Sequence, residues 1–304
     1  MLHSNVFLFS ACVLIWGSTW IAITFQTGEV DLMVSVSLRF AIAALILGVW
    51  CKLRGISLHI EKSQHKYLIT AGIFLYCLDY SFLYAAEQHM ISALLAVLSS
   101  SVIYFNVVLR RLILKKPIRL EVVIGATLGL IGIGLIFAPE FEQLSANDGI
   151  MLGLLFATAS FLSAAAGNIT SERILDKKTD VVPMNFWCMS YGVACTSTVA
   201  KISGASFALP SNYEYFASLL YLAVFGSVLA FGSYMKLLKQ IGSDKAAYVV
   251  LVYPIVALAI STFFEDYTWS QYSAIGVLFV IFGNAVAMGK ANRFALRIYK
   301  RLSV

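Results

Sequence analysis

Ten uninterrupted apolar runs, each close to the length of a bilayer crossing, constrain this chain more than any other feature. They lie near residues 6–25, 32–51, 67–86, 91–112, 121–138, 150–171, 182–200, 215–237, 246–264 and 271–289, separated by short clusters of charged or turn-forming residues. A helix needs about 20 apolar residues to cross the hydrocarbon. Every backbone group at that depth must find its partner within the protein, which leaves helices and closed barrels. Barrel strands are segments of about ten residues with alternating hydrophobicity, whereas these runs are continuous. The expected fold class is an all-α membrane protein with ten transmembrane helices. Charged residues make up 12% of the 304 against roughly 25% in a soluble domain, too few to cover a water-facing surface. The first run follows no Lys or Arg and lacks a small-x-small cleavage pattern, so it is expected to stay in the mature protein.

Basic residues are distributed asymmetrically. Of the 22 Lys and Arg, 20 follow the even-numbered spans, among them Lys52, Arg54, Arg110, Arg111, Arg119, Arg173, Lys239 and Arg293. The opposite loops hold only Lys201, and Arg39 lies inside a span. By the positive-inside rule both termini and the basic loops are expected in the cytoplasm, the chain crossing the inner (plasma) membrane many times. The net charge of +6 is thus a topology signal rather than a sign of nucleic-acid binding. The tail, 290–304, alternates cations with Phe294, Ile298 and Leu302 at helical spacing, a pattern that suits an anionic leaflet.

Chemistry-bearing motifs are few. The cysteines, at 12, 51, 77, 188 and 195, show no C-x-x-C pair, and the four histidines show no H-x-x-x-H pair. No phosphate-cradling G-x-x-x-x-G-K-[ST] occurs. We expect free thiols, no metal, no cofactor, no ATP hydrolysis and no enzyme activity.

Displaced by 151 residues, the sequence superposes Gly125 on Gly276, Gly132 on Gly283, Ala96 on Ala247 and Ser92 on Ser243. The chain therefore reads as two five-span copies, 1–145 and 146–289, followed by the tail. Five is odd, so the second copy enters the membrane from the opposite face, giving two inverted five-helix repeats of the kind found in secondary transporters.

These residues resemble the EamA-type members of the drug/metabolite transporter superfamily. The resemblance rests on Trp16-Gly17-Ser18, Arg39-Phe40, Ser92-Ala93, Gly125 and Gly132, then Gly242, Ala246-Ala247, Tyr253-Pro254, Glu265, Gly276 and Gly283, and runs from about residue 7 to 288. It implies transport of small metabolites, often export, without ATP, through a cavity lined by helices one to four and six to nine, with five and ten peripheral. Two departures stand out: Ile103 where the second copy has Pro254, and Lys115-Lys116-Pro117 where the family often has Gly-Glu-Arg. A passive channel-like or scramblase-like protein is the alternative.

Arg39 and Asp79 are the charged residues that fall well inside predicted spans. Each costs about 2.5–3.5 kcal/mol near a helix centre on insertion scales, so both should face the bundle interior or a wet cavity. Both lie eight residues from an outer-end acid, Asp31 or Glu87, or about 12 Å deep. Either they pair, or Arg39 holds an anionic substrate group while Asp79 takes a proton or an amine. At about 100° per residue Tyr76, Asp79, Tyr80, Tyr84 and Glu87 share one helical face, which suits an aromatic substrate route. Trp16, Asn106, Asn168, Trp187, Tyr191, Tyr248 and Tyr253 are further candidates for the cavity wall. Pro254 removes the helical donor to the Val250 carbonyl, which makes it a candidate gating hinge. Gly125-x-x-x-Gly129 permits close helix approach, within one chain or in a homodimer, so the chain is expected as a monomer or homodimer binding a small-molecule substrate within the bilayer.

Overall fold

Polar residues just outside the apolar runs start the helices. Ser4 accepts a hydrogen bond from the Phe7 N–H, Asp31 from Met33 and Val34, and Asn212 from Tyr215, each satisfying donors that a first turn leaves free. Gly55 closes a helix at φ 64°, a left-handed conformation that glycine adopts without strain. The structure, a computed structural model, describes residues 4–26, 30–89, 95, 98–136, 138, 148–177, 179–208, 212–264 and 269–287. Ser92, Ala93, Glu140, Glu265, the 145/146 boundary and the tail 290–304 lie outside the described residues.

Among the described residues ten helices run in chain order: α1 (Asn5–Thr24), α2 (Leu32–Arg54), α3 (Lys62–Ile73, Phe74–Leu78 and Asp79–Glu87), α4 (Val102–Ile113), α5 (Leu120–Ile136), α6 (Asp148–Asp176), α7 (Val181–Ile202), α8 (Tyr213–Tyr221, Leu222–Leu229 and Ala230–Ile241), α9 (Ser243–Ala246 and Val249–Phe264) and α10 (Gln271–Ala287). Leu32–Arg54, Lys62–Ala86, Met151–Asp176 and Tyr213–Ile241 are each long and apolar enough to cross a bilayer. Leu45, Leu53, Leu112, Leu155, Leu278 and Phe282 are exposed, as expected of side chains facing lipid. In the fourth span Leu95, Leu98 and Ser99 are helical, the chain turns at Ser100 and Ser101, and the helix resumes at Val102.

Two local features govern the interior. First, Phe74–Leu78 of α3 and Leu222–Leu229 of α8 are π-helical, and displacement by 151 residues places one upon the other. Second, α5 and α10 interlock through glycines. A Cβ on Gly125 would lie 2.4 Å from the Gly283 carbonyl oxygen, and one on Gly276 2.4 Å from that of Gly132. The repeat-equivalent residues thus exchange partners, Gly125 with Gly283 and Gly132 with Gly276, which is how a two-fold axis relates two copies of one surface. The contacts run antiparallel, as inverted repeats require. Gly129 meets Leu251, so the G-x-x-x-G pattern serves contacts within the chain.

Candidate functional site

At mid-length of the helices a cavity of about 150 Å³ is lined by α1, α2, α3, α4, α6, α8 and α9. An apolar cavity of about that volume takes up a benzene-sized molecule. Trp16, Arg39, Asp79, Tyr80, Asn168 and Tyr253 all reach it. Among the described residues helices five and ten contribute nothing to the lining. The eighth expected contributor, α7, is absent too.

The π segments place the two charges. Ser227, inside the π segment of α8, hydrogen-bonds the Leu222 carbonyl five residues back and accepts a 2.9 Å bond from Arg39 Nε. The guanidinium, 3% exposed, has its Cζ 5.2 Å from the Tyr80 ring centroid and 5.3 Å from that of Phe40. Gly226 leaves the space it occupies, since a Cβ there would sit 2.9 Å from Arg39 Nη2. Trp16 Nε1 donates to the Gly226 carbonyl at 3.1 Å. Asp79 is the first residue after the π segment of α3, and its Oδ1 accepts a 2.6 Å bond from Ser160. Arg39 and Asp79 do not pair: among the described residues neither has an oppositely charged group within salt-bridge distance. Phe161, Phe231 and Tyr234 complete an aromatic wall, and the Tyr253 hydroxyl lies 3.2 Å from Ser99 Oγ.

Six expected wall residues lie elsewhere. Tyr76 is fully buried against Phe40 and Phe231, because α7 approaches α3 so closely at Gly192 that a Cβ there would lie 2.5 Å from Tyr76 Cβ. Tyr84 is buried, its ring centroid 6.3 Å from that of Tyr80, outside the cavity lining. Trp187 and Tyr191 form a cluster with His65 at the end of the bundle that carries the basic loops: Tyr191 Oη is 2.7 Å from His65 Nδ1, and Trp187 donates to the Leu58 carbonyl at 2.8 Å. Tyr248 donates to the Val122 carbonyl, fastening α9 to α5. Asn106 donates to the Ser243 carbonyl at 3.3 Å, also at the basic end. Helical periodicity places residues on a face, but which neighbour covers that face depends on packing. Pro254 is buried within α9, where Gly17 of α1 would bring a Cβ to 3.0 Å from the Tyr253 carbonyl.

Sequence reasoning missed a second charged region altogether. One to two turns beyond the cavity toward the basic end, Arg110 of α4 meets Glu172 of α6 at 3.0 Å and Asp244, in the short first segment of α9, at 3.5 Å. The three are 5%, 3% and 2% exposed. Lys116 bonds Glu172 and Asp176 at 2.8 Å each, and Arg119 reaches Asp244 at 3.3 Å and the Ile241 carbonyl at 2.9 Å. Ser243 adds N–H and O–H donors to Glu172, at 2.9 and 2.5 Å. In this cluster the cations come from the first half of the chain and the carboxylates from the second. Partial burial pulls the Lys116 ammonium down, but hydrogen bonds to Asp176 and Glu172 outweigh it and hold the group above the ordinary lysine value. Arg110 and Glu172 sit near span edges, where charge reads as a topology signal.

With this geometry established, comparison with known proteins decides the family. The model of the EamA-like transporter family matches residues 3–138 and again 151–289. The chain belongs to the EamA-like transporter family. It is a membrane transporter and not an enzyme. It is 27% identical over 276 residues to the uncharacterized inner membrane transporter YedA of Escherichia coli (strain K12), covering 88% of this chain and 86% of that one. It is 24% identical over 245 residues to the uncharacterized transporter YoaV of Bacillus subtilis (strain 168), covering 81% and 83%. A solved crystal structure superposes with a TM-score of 0.78 at 18% identity, over 95% of this chain and 98% of that one, a likeness of fold. In this EamA-like transporter, Trp16 and Arg39 of the family pattern meet at Gly226, while Gly125, Gly132, Gly276 and Gly283 form the α5–α10 interlock.

Proposed function

We propose that this EamA-like transporter exports small amphipathic metabolites bearing a carboxylate and an amine, such as amino acids, across the inner membrane by alternating access. The observation that carries the substrate class is Arg39, a buried guanidinium held by neutral partners in a cavity that also holds Asp79. A guanidinium presents a fork that matches a carboxylate, and a buried charge without a counter-ion favours an anionic guest. Asp79 offers the second pole to an amine or a proton. Trp16, Phe231, Tyr234 and Tyr253 take the apolar body. The outward direction rests on the family resemblance.

By the positive-inside rule the basic end and both termini face the cytoplasm. The Arg110–Glu172–Asp244 network then closes the cytoplasmic side, and the cavity opens there only when the halves 1–145 and 146–289 part across it. Pro254 is the hinge we assign to α9. One chain holds the whole cavity, so a monomer suffices. Labelled amino acids in proteoliposomes, with and without a proton gradient, test the reading. Saturable flux that Arg39→Leu removes for carboxylate-bearing compounds is expected; non-saturating flux, equal in parent and variant, sinks it. Cysteines placed at Lys116 and Lys177 should label only from the cytoplasm and those at Glu140 and Glu265 only from outside.

A further inference from the structure

Outside the cavity and the ion network, one cluster of charges has no explanation within the fold. At the basic end, three cations converge on one aromatic ring. Arg173 Cζ lies 4.7 Å from the Tyr67 ring centroid, Lys66 Nζ 5.1 Å and Lys177 Nζ 5.7 Å. Charges gathered within 5.7 Å of one ring centroid lie on the scale of the Debye length, about 8 Å at physiological ionic strength, so salt only partly screens their mutual repulsion. Among the described residues none of the three side chains makes an ion pair or donates a hydrogen bond. The nearby acids of α6 are engaged elsewhere, Glu172 with Arg110 and Lys116 and Asp176 with Lys116. All three cations are exposed at the bundle surface.

We propose that Lys66, Arg173 and Lys177, gathered round Tyr67, bind the phosphate headgroup of an anionic membrane lipid. A phosphodiester supplies the counter-charge that the protein withholds, and basic sites between transmembrane helices at a membrane face hold such headgroups. A lipid fits better than a free anion because α3 and α6 continue from the site with exposed apolar side chains, Ile69 on one and Leu162 and Leu155 on the other. Acyl chains lie along such surfaces. Tyr67, half-buried, holds the cations toward one point by the negative face of its ring.

The test places the full chain in nanodiscs of phosphatidylcholine with a minor share of phosphatidylglycerol and counts retained lipids by native mass spectrometry. If each cation of the cluster contributes about 1 kcal/mol, or about fivefold, through contact with the headgroup, Lys66→Gln/Arg173→Gln/Lys177→Gln should lose on the order of a hundredfold in phosphatidylglycerol preference. Lys52→Gln/Lys62→Gln/Arg111→Gln, which removes the same charge from the same end, should keep it. Arg173→Gln alone, expected to lose about fivefold, keeps the proposal testable should the triple variant not fold. Equal losses in the two triple variants would mean diffuse attraction and overturn the site. Retained preference in the Tyr67-cluster variants would overturn it as well. Displacement of phosphatidylglycerol by millimolar inorganic phosphate would identify a free-anion site and refute the lipid assignment.

Discussion

The cavity and the basic-end network are built from the same residue types and treat charge in opposite ways. In the network, cations from one half and carboxylates from the other are joined by direct bonds of 2.8–3.5 Å. In the cavity, Arg39 and Asp79 each lean on a serine hydroxyl, Ser227 and Ser160, and leave one another alone. A closed ionic cluster tolerates no guest, because its charges are already compensated. A cavity whose two charges are held by neutral dipoles keeps its electrostatic capacity for what enters. The partner, and not the burial, separates the two kinds of charge: Arg39 is 3% exposed and Arg110 5%.

The largest expected effect comes from breaking the network. Arg110→Leu removes the buried cation shared by Glu172 and Asp244 and leaves them to Lys116, Ser243 and Arg119; loss of one partner from a buried pair costs about 3–5 kcal/mol at most, and denaturation in detergent should show it. Arg39→Leu strands no carboxylate, so transport should vanish with a far smaller loss of stability. Equal destabilisation by the two would erase the distinction. Combining Arg39→Leu with Asp79→Asn sharpens the point. Members of a pair rescue one another, whereas these two should not, and recovery of transport or yield in the double variant would show a coupling that the serine contacts deny.

A milder change tests how the guanidinium is placed. Gly226→Ala puts a methyl 2.9 Å from Arg39 Nη2, and a displacement worth about 1.4 kcal/mol would lower transport by about tenfold, with folded yield near parental. Unchanged flux would mean that the position of the guanidinium is not critical. Tyr80→Leu should reduce transport more than yield. The fully buried Tyr76→Leu should reduce both together, and a matching response at Tyr80 would return that residue to packing. The smallest effect is on pH. The Lys116 ammonium is held above its ordinary value of 10.5, so its contribution to stability is complete below that value and lost as pH climbs through the raised one. Lys116→Met should flatten the fall in melting temperature as pH rises above 10.5; a parental slope in the variant would assign the transition to other groups.

Much of the architecture was legible because it depends on patterns that survive without neighbours. Span count, the distribution of Lys and Arg, and the displacement that superposes Gly125 on Gly276 need only the order of residues. Glycine was informative because its meaning, close approach, requires no knowledge of what approaches. The site was half legible: Trp16, Arg39, Asp79, Tyr80, Asn168 and Tyr253 meet, while Tyr76, Tyr84, Asn106, Trp187, Tyr191 and Tyr248 are covered by neighbours that periodicity does not name. Phe231, Tyr234 and Ser227 were hidden because α8 reads as one continuous apolar run. Glu172 and Asp244 were hidden because an acid beside a basic loop looks solvated until the fold shows that the loop has folded over it.

The π segments of α3 and α8 have a consequence for insertions and deletions in this chain. Such a segment carries one residue beyond the α-helical turn it replaces. Removing a residue from Phe74–Leu78 would close the wide turn to an α-helical one, so Asp79 and Tyr80 would keep their face, whereas a deletion in the regular part of α3 before it would rotate everything beyond by about 100°. The same deletion in Leu222–Leu229 would leave Phe231 and Tyr234 on their side of the helix but remove the wide turn in which Ser227 meets both the Leu222 carbonyl and Arg39. A gap of a single position is therefore absorbed at these two places at the cost of the π geometry alone, while the same gap in the α-helical turns leading up to them is equivalent to losing the wall beyond.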